Sequence, residues 1–146
     1  MQIASNQAVV HWEAAQAAVR KADAIGIRVN AAVVDVGGNL VAFLRMPGAF
    51  LHSIEIAIDK VYTAAGFGVA TAMWPQMLAE HSQNVREGLP RRARMVAFAG
   101  GLPLRVNGDL LGGVGISGGS EEQDELWAHA ALEAIDADDH GVPATP

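Results

Sequence analysis

A glycine-rich stretch near the C-terminal end restricts the fold of this chain more than any other feature. Eight of the sixteen glycines fall between Gly100 and Gly119. Within it, residues 102–106 predict a strand, Asn107-Gly108 predicts a tight turn because both residues tolerate positive φ, and residues 110–117 predict the returning strand. Three positions of the returning strand have no side chain: Gly112, Gly113 and Gly115. We therefore expect a helix, a partner subunit or a flat ligand to approach its backbone closely.

A helix is predicted directly after this hairpin. The Ser120 hydroxyl can accept the backbone N–H of Gln123 while the Gln123 side chain reaches back to the N–H of Ser120, the reciprocal pattern called a capping box. We expect the helix to run from Ser120 to about Ile135 and the acidic tail, residues 136–146, to fray.

The glycines at 113, 115 and 118 also have the GxGxxG spacing of dinucleotide-binding sites. The context argues against that function, because no strand follows the helix to complete a βαβ unit. Glu121 and Glu122 also occupy the first turn, where a phosphate would need positive potential. Close backbone packing is the favoured explanation for these glycines.

Spacing of apolar residues predicts the remaining elements. The other predicted helices begin at Ser5 or Asn6, at Ser53 and near Trp74-Pro75; the first ends near Gly26, and the second runs to about Ala65 and ends at Gly66 or Gly68. The other predicted strands are residues 28–36, 40–45 and 95–98, and residues 81–94 are predicted to be loop. Consecutive hairpins predict an α+β domain with a five-stranded antiparallel sheet flanked by helices.

Length and composition restrict the class of protein. A chain of 146 residues fits one domain, residues 1–146. Apolar runs fall well short of the roughly 18 residues that a membrane span needs, so we expect no membrane insertion. The net charge of −6 and the absence of Lys and Arg after Arg105 argue against nucleic-acid binding. Without cysteine or a visible export signal, the expected location is the cytoplasm.

Three blocks carry a resemblance to a known family: VVDVGGNLVAFLRMPGA, IEIAIDKVYTAAGFG and GGLPLRVNGDLLGGVGISGGSEEQDE, in this order. Together they resemble the GlcG/HbpS family of small haem-binding-type proteins, to which the C-terminal domain of PduO is similar. The resemblance implies a profilin-like or PAS-like sheet flanked by helices and assembly into a homo-oligomer. It also implies a small-molecule ligand, haem or a similar flat tetrapyrrole, in a catabolic or haem-related context.

Two histidines are the candidates for an axial haem ligand. His52 and His81 adjoin segments that a ligand could reach, and a single axial side chain is sufficient to hold haem iron. The five histidines of the chain show no close metal-binding spacing, so no separate metal site is predicted. The floor of the ligand site would be the bare backbone at Gly112, Gly113 and Gly115.

A small basic cluster is a candidate for binding carboxylated ligands such as haem propionates. It comprises Arg86, Arg91, Arg92 and Arg94, with Arg91 and Arg92 as the expected ligand contacts. The alternatives are a solvated loop or salt bridges to the acidic tail of another subunit.

The alternative function is a small catabolic enzyme of the isomerase or tautomerase type. Lys60 lies in an apolar helix, where desolvation lowers the pKa of an amine, and with Asp35 it could transfer protons. The structural alternatives are that Lys60 pairs with a nearby carboxylate and that Asp35 accepts the amides of the Gly37-Gly38 turn. A structural or regulatory oligomer that uses the acidic tail is a third hypothesis.

Overall fold

The computed structural model describes residues 7–138, which form five α-helices and four strands. The helices are α1 (Gln7–Ala24), α2 (His52–Phe67), α3 (Trp74–Ala79), α4 (Gln83–Gly88) and α5 (Glu121–Ala134). The strands are β1 (Asn30–Asp35), β2 (Leu40–Arg45), β3 (Gly101–Val106) and β4 (Asp109–Ser117). Single 3-10 turns cover Thr71–Met73 and Leu89–Arg91. None of these helices is long and apolar enough to cross a bilayer.

The four strands form one antiparallel sheet in the order β2-β1-β4-β3. Both predicted hairpins are confirmed, and they join through β1 and β4, where Ala32 lies opposite Gly115 and Asp35 lies opposite Gly112. The β3–β4 hairpin turns at Asn107 and Gly108, both with positive φ as predicted. The outer strands of the sheet are therefore β2 and β3.

Helices cover both faces of the sheet. Along β1, Ala31 and Val33 point into a core shared with α1 and α5, while Ala32 and Val34 point into a smaller core under α2. Because alternate residues of a strand face opposite sides, burial on both faces explains why β1 is an almost continuous apolar run rather than an alternating one.

The bare segment of β4 is covered by α2. A Cβ added to Gly115 would lie 2.4 Å from the carbonyl oxygen of Ala57, and one added to Gly113 would lie 3.0 Å from a methyl carbon of Val61. At Gly112, where φ is +154°, a Cβ would lie 2.0 Å from the oxygen of Val34 on the neighbouring strand. The close approach that the glycines predict is therefore made by a crossing helix and by β1.

The predicted fifth strand is wrong. Residues 95–98 form an irregular segment, and the sheet built from residues 7–138 has four strands. The Thr63 hydroxyl on α2 accepts the N–H of Val96 at 3.1 Å and donates to the carbonyl of Arg94 at 2.8 Å. Backbone groups that a strand would pair with a neighbour are bonded here to a helix side chain.

Residues 81–94 are also more regular than the predicted loop. Ser82 caps α4 by accepting the N–H of Val85 at 3.4 Å. No residue of α4 is buried, so this short helix lacks the apolar periodicity that identifies longer ones.

The ends of the long helices confirm most of the predicted caps. The capping box of Ser120 and Gln123 is present, and α2 ends at Gly68 with φ 72°. The proposed cap at Ser53 is wrong, because α2 begins one residue earlier and Leu51, its cap residue, makes no side-chain bond. The predicted start of the first helix at Ser5 or Asn6 and most of the acidic tail lie outside the described residues.

Candidate functional site

The N-terminal turns of α2 form an open pocket of about 420 Å³ around His52. We call it the His52 surface, and it is lined by Leu51, His52, Ile54, Glu55, Ile56 and Asp59. The imidazole of His52 is exposed at the first residue of the helix. All lining residues come from one short stretch of chain, so the pocket has one wall and a bound molecule would need a second one.

Exposed apolar side chains adjoin this histidine. Phe50 is 71% exposed and Leu51 is 72% exposed, and the two lie directly before α2. Single exposed apolar residues are ordinary, but adjacent large ones beside a pocket are typical of a binding or interaction surface. The surface is thus suited to a flat apolar molecule that a histidine can also contact.

Asp59, which lines the His52 surface, forms an ion pair with Arg94. The Arg94 guanidinium lies 3.4 Å from the Asp59 carboxylate and stacks on Tyr62, with its carbon 3.4 Å from the ring centroid. Arg94 has a φ of 65°, and its carbonyl is held by Thr63. The structure therefore places Arg94 beside this surface.

The other arginines of the basic cluster do not line the His52 surface. Arg91 and Arg92, the arginines singled out from the sequence, are exposed in the turn after α4 and do not line the pocket. No sequence signal favours Arg94 over them, because its partner Asp59 is 35 residues away.

The second candidate histidine lies near α3 and not at the start of α2. His81 is exposed just after α3, and its carbonyl accepts a hydrogen bond from the Arg86 guanidinium. It does not line the His52 surface. Of the two histidines, His52 is therefore the one that lines the His52 surface.

Lys60 is buried and bonded to two partners. Its side chain is 1% exposed, and its Nζ donates to the Ile116 carbonyl at 2.8 Å and to Asp124 Oδ2 at 3.0 Å. Asp124 also accepts the N–H of Gly119 at 2.9 Å. The ring of Phe98 lies 5.2 Å from Nζ. This ion pair joins α2 to α5, which lie on opposite faces of the sheet.

Burial dominates the titration of both partners. Desolvation lowers the pKa of Lys60, and the attraction of Asp124 offsets it only in part. Desolvation likewise raises the pKa of Asp124 against the attraction of Lys60. Burial therefore disfavours the charged form of each partner, and the attraction between the two groups offsets this effect without cancelling it.

The predicted pairing of Lys60 with Asp35 is not formed. The Asp35 carboxylate accepts the N–H groups of Gly37 at 2.9 Å and Asn39 at 3.0 Å. Its pKa is lowered, chiefly by the hydrogen bond from the Asn39 backbone. Asp35 lies opposite Gly112 on β4, whereas Lys60 binds Ile116 four residues further along the same strand. The carboxylate that reaches Lys60 is Asp124, which the spacing of the sequence does not single out.

Access to Lys60 is closed by a glycine bend. A Cβ on Gly100 would lie 2.5 Å from the Lys60 Nζ, and one on Gly101 would lie 2.5 Å from the Lys60 carbonyl oxygen. The adjacent N–H of Ala99 is bonded to Glu121 at 3.0 Å. Proton transfer to a substrate at Lys60 would require this bend to move.

The chain matches proteins of one family. Residues 7–133 match the family described as haem degrading protein HbpS-like. A 15.0 kDa protein encoded in the dhaT-dhaS intergenic region of Citrobacter freundii is 38% identical over 134 residues, which are 92% of this chain and 94% of that protein. The family resemblance noted in the sequence is therefore confirmed.

Two further comparisons concern PduO. The corrinoid adenosyltransferase PduO of Citrobacter freundii is 37% identical over 130 residues, and the match covers 86% of this chain but only 37% of PduO. The crystal structure of a PduOC:heme complex superimposes with a TM-score of 0.80 at 35% identity, covering 88% of this chain and 93% of that one. The chain thus corresponds to one part of PduO, and the adenosyltransferase name belongs to the longer protein.

Proposed function

Because this chain belongs to the HbpS-like family, we propose that it binds haem or a similar flat tetrapyrrole on the His52 surface. The observation that carries the proposal is the exposed imidazole of His52 beside the exposed side chains of Phe50 and Leu51. The proposal is supported by a fold shared with a PduOC:heme complex at 35% identity.

The side chains of the His52 surface have the chemistry that such a ligand needs. A histidine nitrogen is a usual axial ligand of haem iron, and aliphatic and aromatic side chains suit the porphyrin face. The Arg94 guanidinium is the cation placed to receive a propionate, while Glu55 and Asp59 would repel one. When bound, haem supplies an iron centre whose chemistry is set by its axial ligand and surroundings.

A second copy of the chain is the proposed second wall of the site. The His52 surface is formed by one helix end, and the large exposed fractions of Phe50 and Leu51 leave apolar area for a partner to cover. A ligand held between two copies would be shielded on both faces. This part of the proposal predicts that the haem-loaded protein has a molecular mass, measured by light scattering, of at least twice the mass of one chain.

Titration with ferric haem followed by Soret absorbance tests the proposal. We expect a saturable Soret shift in the unaltered protein, a weakened or altered spectrum in His52→Ala, and an unaltered spectrum in His81→Ala. Both histidines are exposed, so neither substitution should disturb the fold. Loss of the signal in His81→Ala with retention in His52→Ala would move the site, and no shift in any of the three proteins would refute haem binding.

A further inference from the structure

A separate cavity of about 290 Å³ lies along the outer edge of β3. Its walls are mainly apolar, including Val69, Met73, Leu102 and Leu132, and its polar residues include Arg105. It shares no residue with the His52 surface. This volume lies just below the range of roughly 300 to 1,000 Å³ for ligand pockets, so the cavity suits a small organic molecule rather than a tetrapyrrole.

The edge of β3 is already blocked against pairing with another strand. At one end, Thr71 Oγ1 accepts the N–H of Gly101 at 2.9 Å, and at the other, the N–H of Asp138 donates to the Arg105 carbonyl at 2.8 Å. Between them lies Pro103, which has no N–H to donate. An added strand would find these groups occupied, which leaves the cavity open to a small molecule instead.

The guanidinium of Arg105 is held in place by two backbone carbonyls. Its Nη2 donates to the Gly68 carbonyl at 2.9 Å and its Nη1 to the Gly108 carbonyl at 3.3 Å. Within residues 7–138 no carboxylate lies within ion-pair distance of it. The two carbonyl oxygens orient the guanidinium without neutralising its charge, so it can still bind an anionic ligand.

The remaining charge at the cavity limits how negative that ligand can be. The Asp138 carboxylate lines the same cavity and accepts the N–H groups of Asn107 at 3.2 Å and Gly108 at 2.8 Å. A dianion such as phosphate would meet this carboxylate with only one guanidinium to offset it. His129, which is 5% exposed, also lines the cavity. A monoanion with a short apolar body matches the one guanidinium and the apolar walls.

We propose that the β3-edge cavity binds a small aliphatic monocarboxylate, with its carboxylate on Arg105 and its hydrocarbon part against Leu102, Leu132 and Met73. The site is independent of haem, so its failure would leave the His52 proposal standing, and the reverse also holds.

Calorimetric titration with isovalerate, its neutral analogue isovaleramide and inorganic phosphate tests this site. We expect isovalerate to bind with a Kd below about 1 mM. Isovaleramide should bind about 10- to 100-fold more weakly, since a hydrogen bond to a charged group contributes about 1.5 to 3 kcal/mol. No measurable isovalerate binding, equal affinity for acid and amide, or tighter binding of phosphate would each overturn the proposal.

Two variants locate the binding in the cavity. Arg105→Gln removes the cation. Val69→Trp fills the cavity and leaves Arg105 unchanged. Each substitution should weaken isovalerate binding at least about tenfold. Arg28→Gln is the matched control, because Arg28 is exposed and pairs with Asp23 outside the cavity. Unchanged binding in both cavity variants, or an equal loss in Arg28→Gln, would show that the acid binds elsewhere. Haem titration of the same variants should be unaffected.

Discussion

Replacing Lys60 by methionine should destabilise the protein by about 3 to 5 kcal/mol, the usual cost of removing one partner of a buried ion pair. Methionine can fill most of the path of the lysine chain. The loss comes instead from Asp124, whose side chain is 4% exposed and would lose its cation while keeping backbone N–H partners such as Gly119. Against a typical total stability of about 5 to 15 kcal/mol, this is a large fraction.

The double variant Lys60→Met with Asp124→Asn should recover most of that loss. Desolvation opposes the charged form of both partners, and the cost of desolvating two buried charges commonly offsets most of the attraction between them. Asparagine removes the buried charge and keeps an oxygen that can accept the Gly119 N–H. We expect the double variant to lie within about 1.5 kcal/mol of the unaltered protein, far from the sum of the single losses.

The loss in Lys60→Met should also depend on pH. The pKa of Asp124 is raised in the folded protein, so the stability linked to its protonation is fully present below the unfolded pKa and is lost as pH rises through the folded pKa. In Lys60→Met, the lysine cation no longer opposes the rise in the pKa of Asp124. The stability of this variant relative to the unaltered protein should therefore be highest at acidic pH. In the unaltered protein, the lowered pKa of Lys60 affects the free energy of unfolding at alkaline pH. The stability linked to the neutral lysine is present above the unfolded pKa and is lost as pH falls through the folded pKa.

Urea unfolding followed by tryptophan fluorescence measures these differences. Trp74 and Trp127 are both 3% exposed and should report the loss of the fold. The unaltered protein, Lys60→Met, Asp124→Asn and the double variant are compared at neutral pH and near pH 4. A loss of stability in the double variant as large as in the two single variants together would contradict these expectations, as would a Lys60→Met deficit that is the same at both pH values.

Three smaller changes test other parts of the fold. Gly115→Ala places a Cβ 2.4 Å from a backbone oxygen of α2 and should destabilise the protein by about 1 to 3 kcal/mol in thermal unfolding. At Gly66 an added Cβ would have no neighbouring atom within 4 Å, so Gly66→Ala should stabilise the protein by about 0.5 to 1 kcal/mol in the same assay. Ser120→Ala should cost about 1 kcal/mol by the same assay. The Asp35 carboxyl should titrate below its ordinary range by NMR, and its contribution to stability should be lost as pH falls through that folded pKa. Ordinary titration of Asp35, equal effects of the two glycine changes, or no effect at Ser120 would contradict these expectations.

Local patterns in the sequence predicted the parts of the fold that local forces determine. The Asn107-Gly108 turn, the capping box at Ser120 and the helix end at Gly68 each depend on residues within about one turn of chain. The glycines of β4 correctly predicted a close approach. They could not identify α2 as the element that makes it, because a helix, a subunit and a ligand all require the same absence of a side chain.

Contacts between distant residues account for what the sequence did not predict. The bonds from Thr63 that hold the 94–96 backbone replace a predicted strand, and they join residues about thirty positions apart. Asp124 was overlooked as the partner of Lys60 because 64 residues separate them. The ion pair of Arg94 with Asp59 shares this property. Only the folded arrangement brings these groups together.

A crystal structure of the haem-loaded protein would locate the iron and the porphyrin directly. We expect the iron to be bound by the imidazole of His52, with the porphyrin face against Phe50 and Leu51 and a second copy of the chain on its other side. Iron bound by His81, or a porphyrin located away from the N-terminal end of α2, would contradict this expectation.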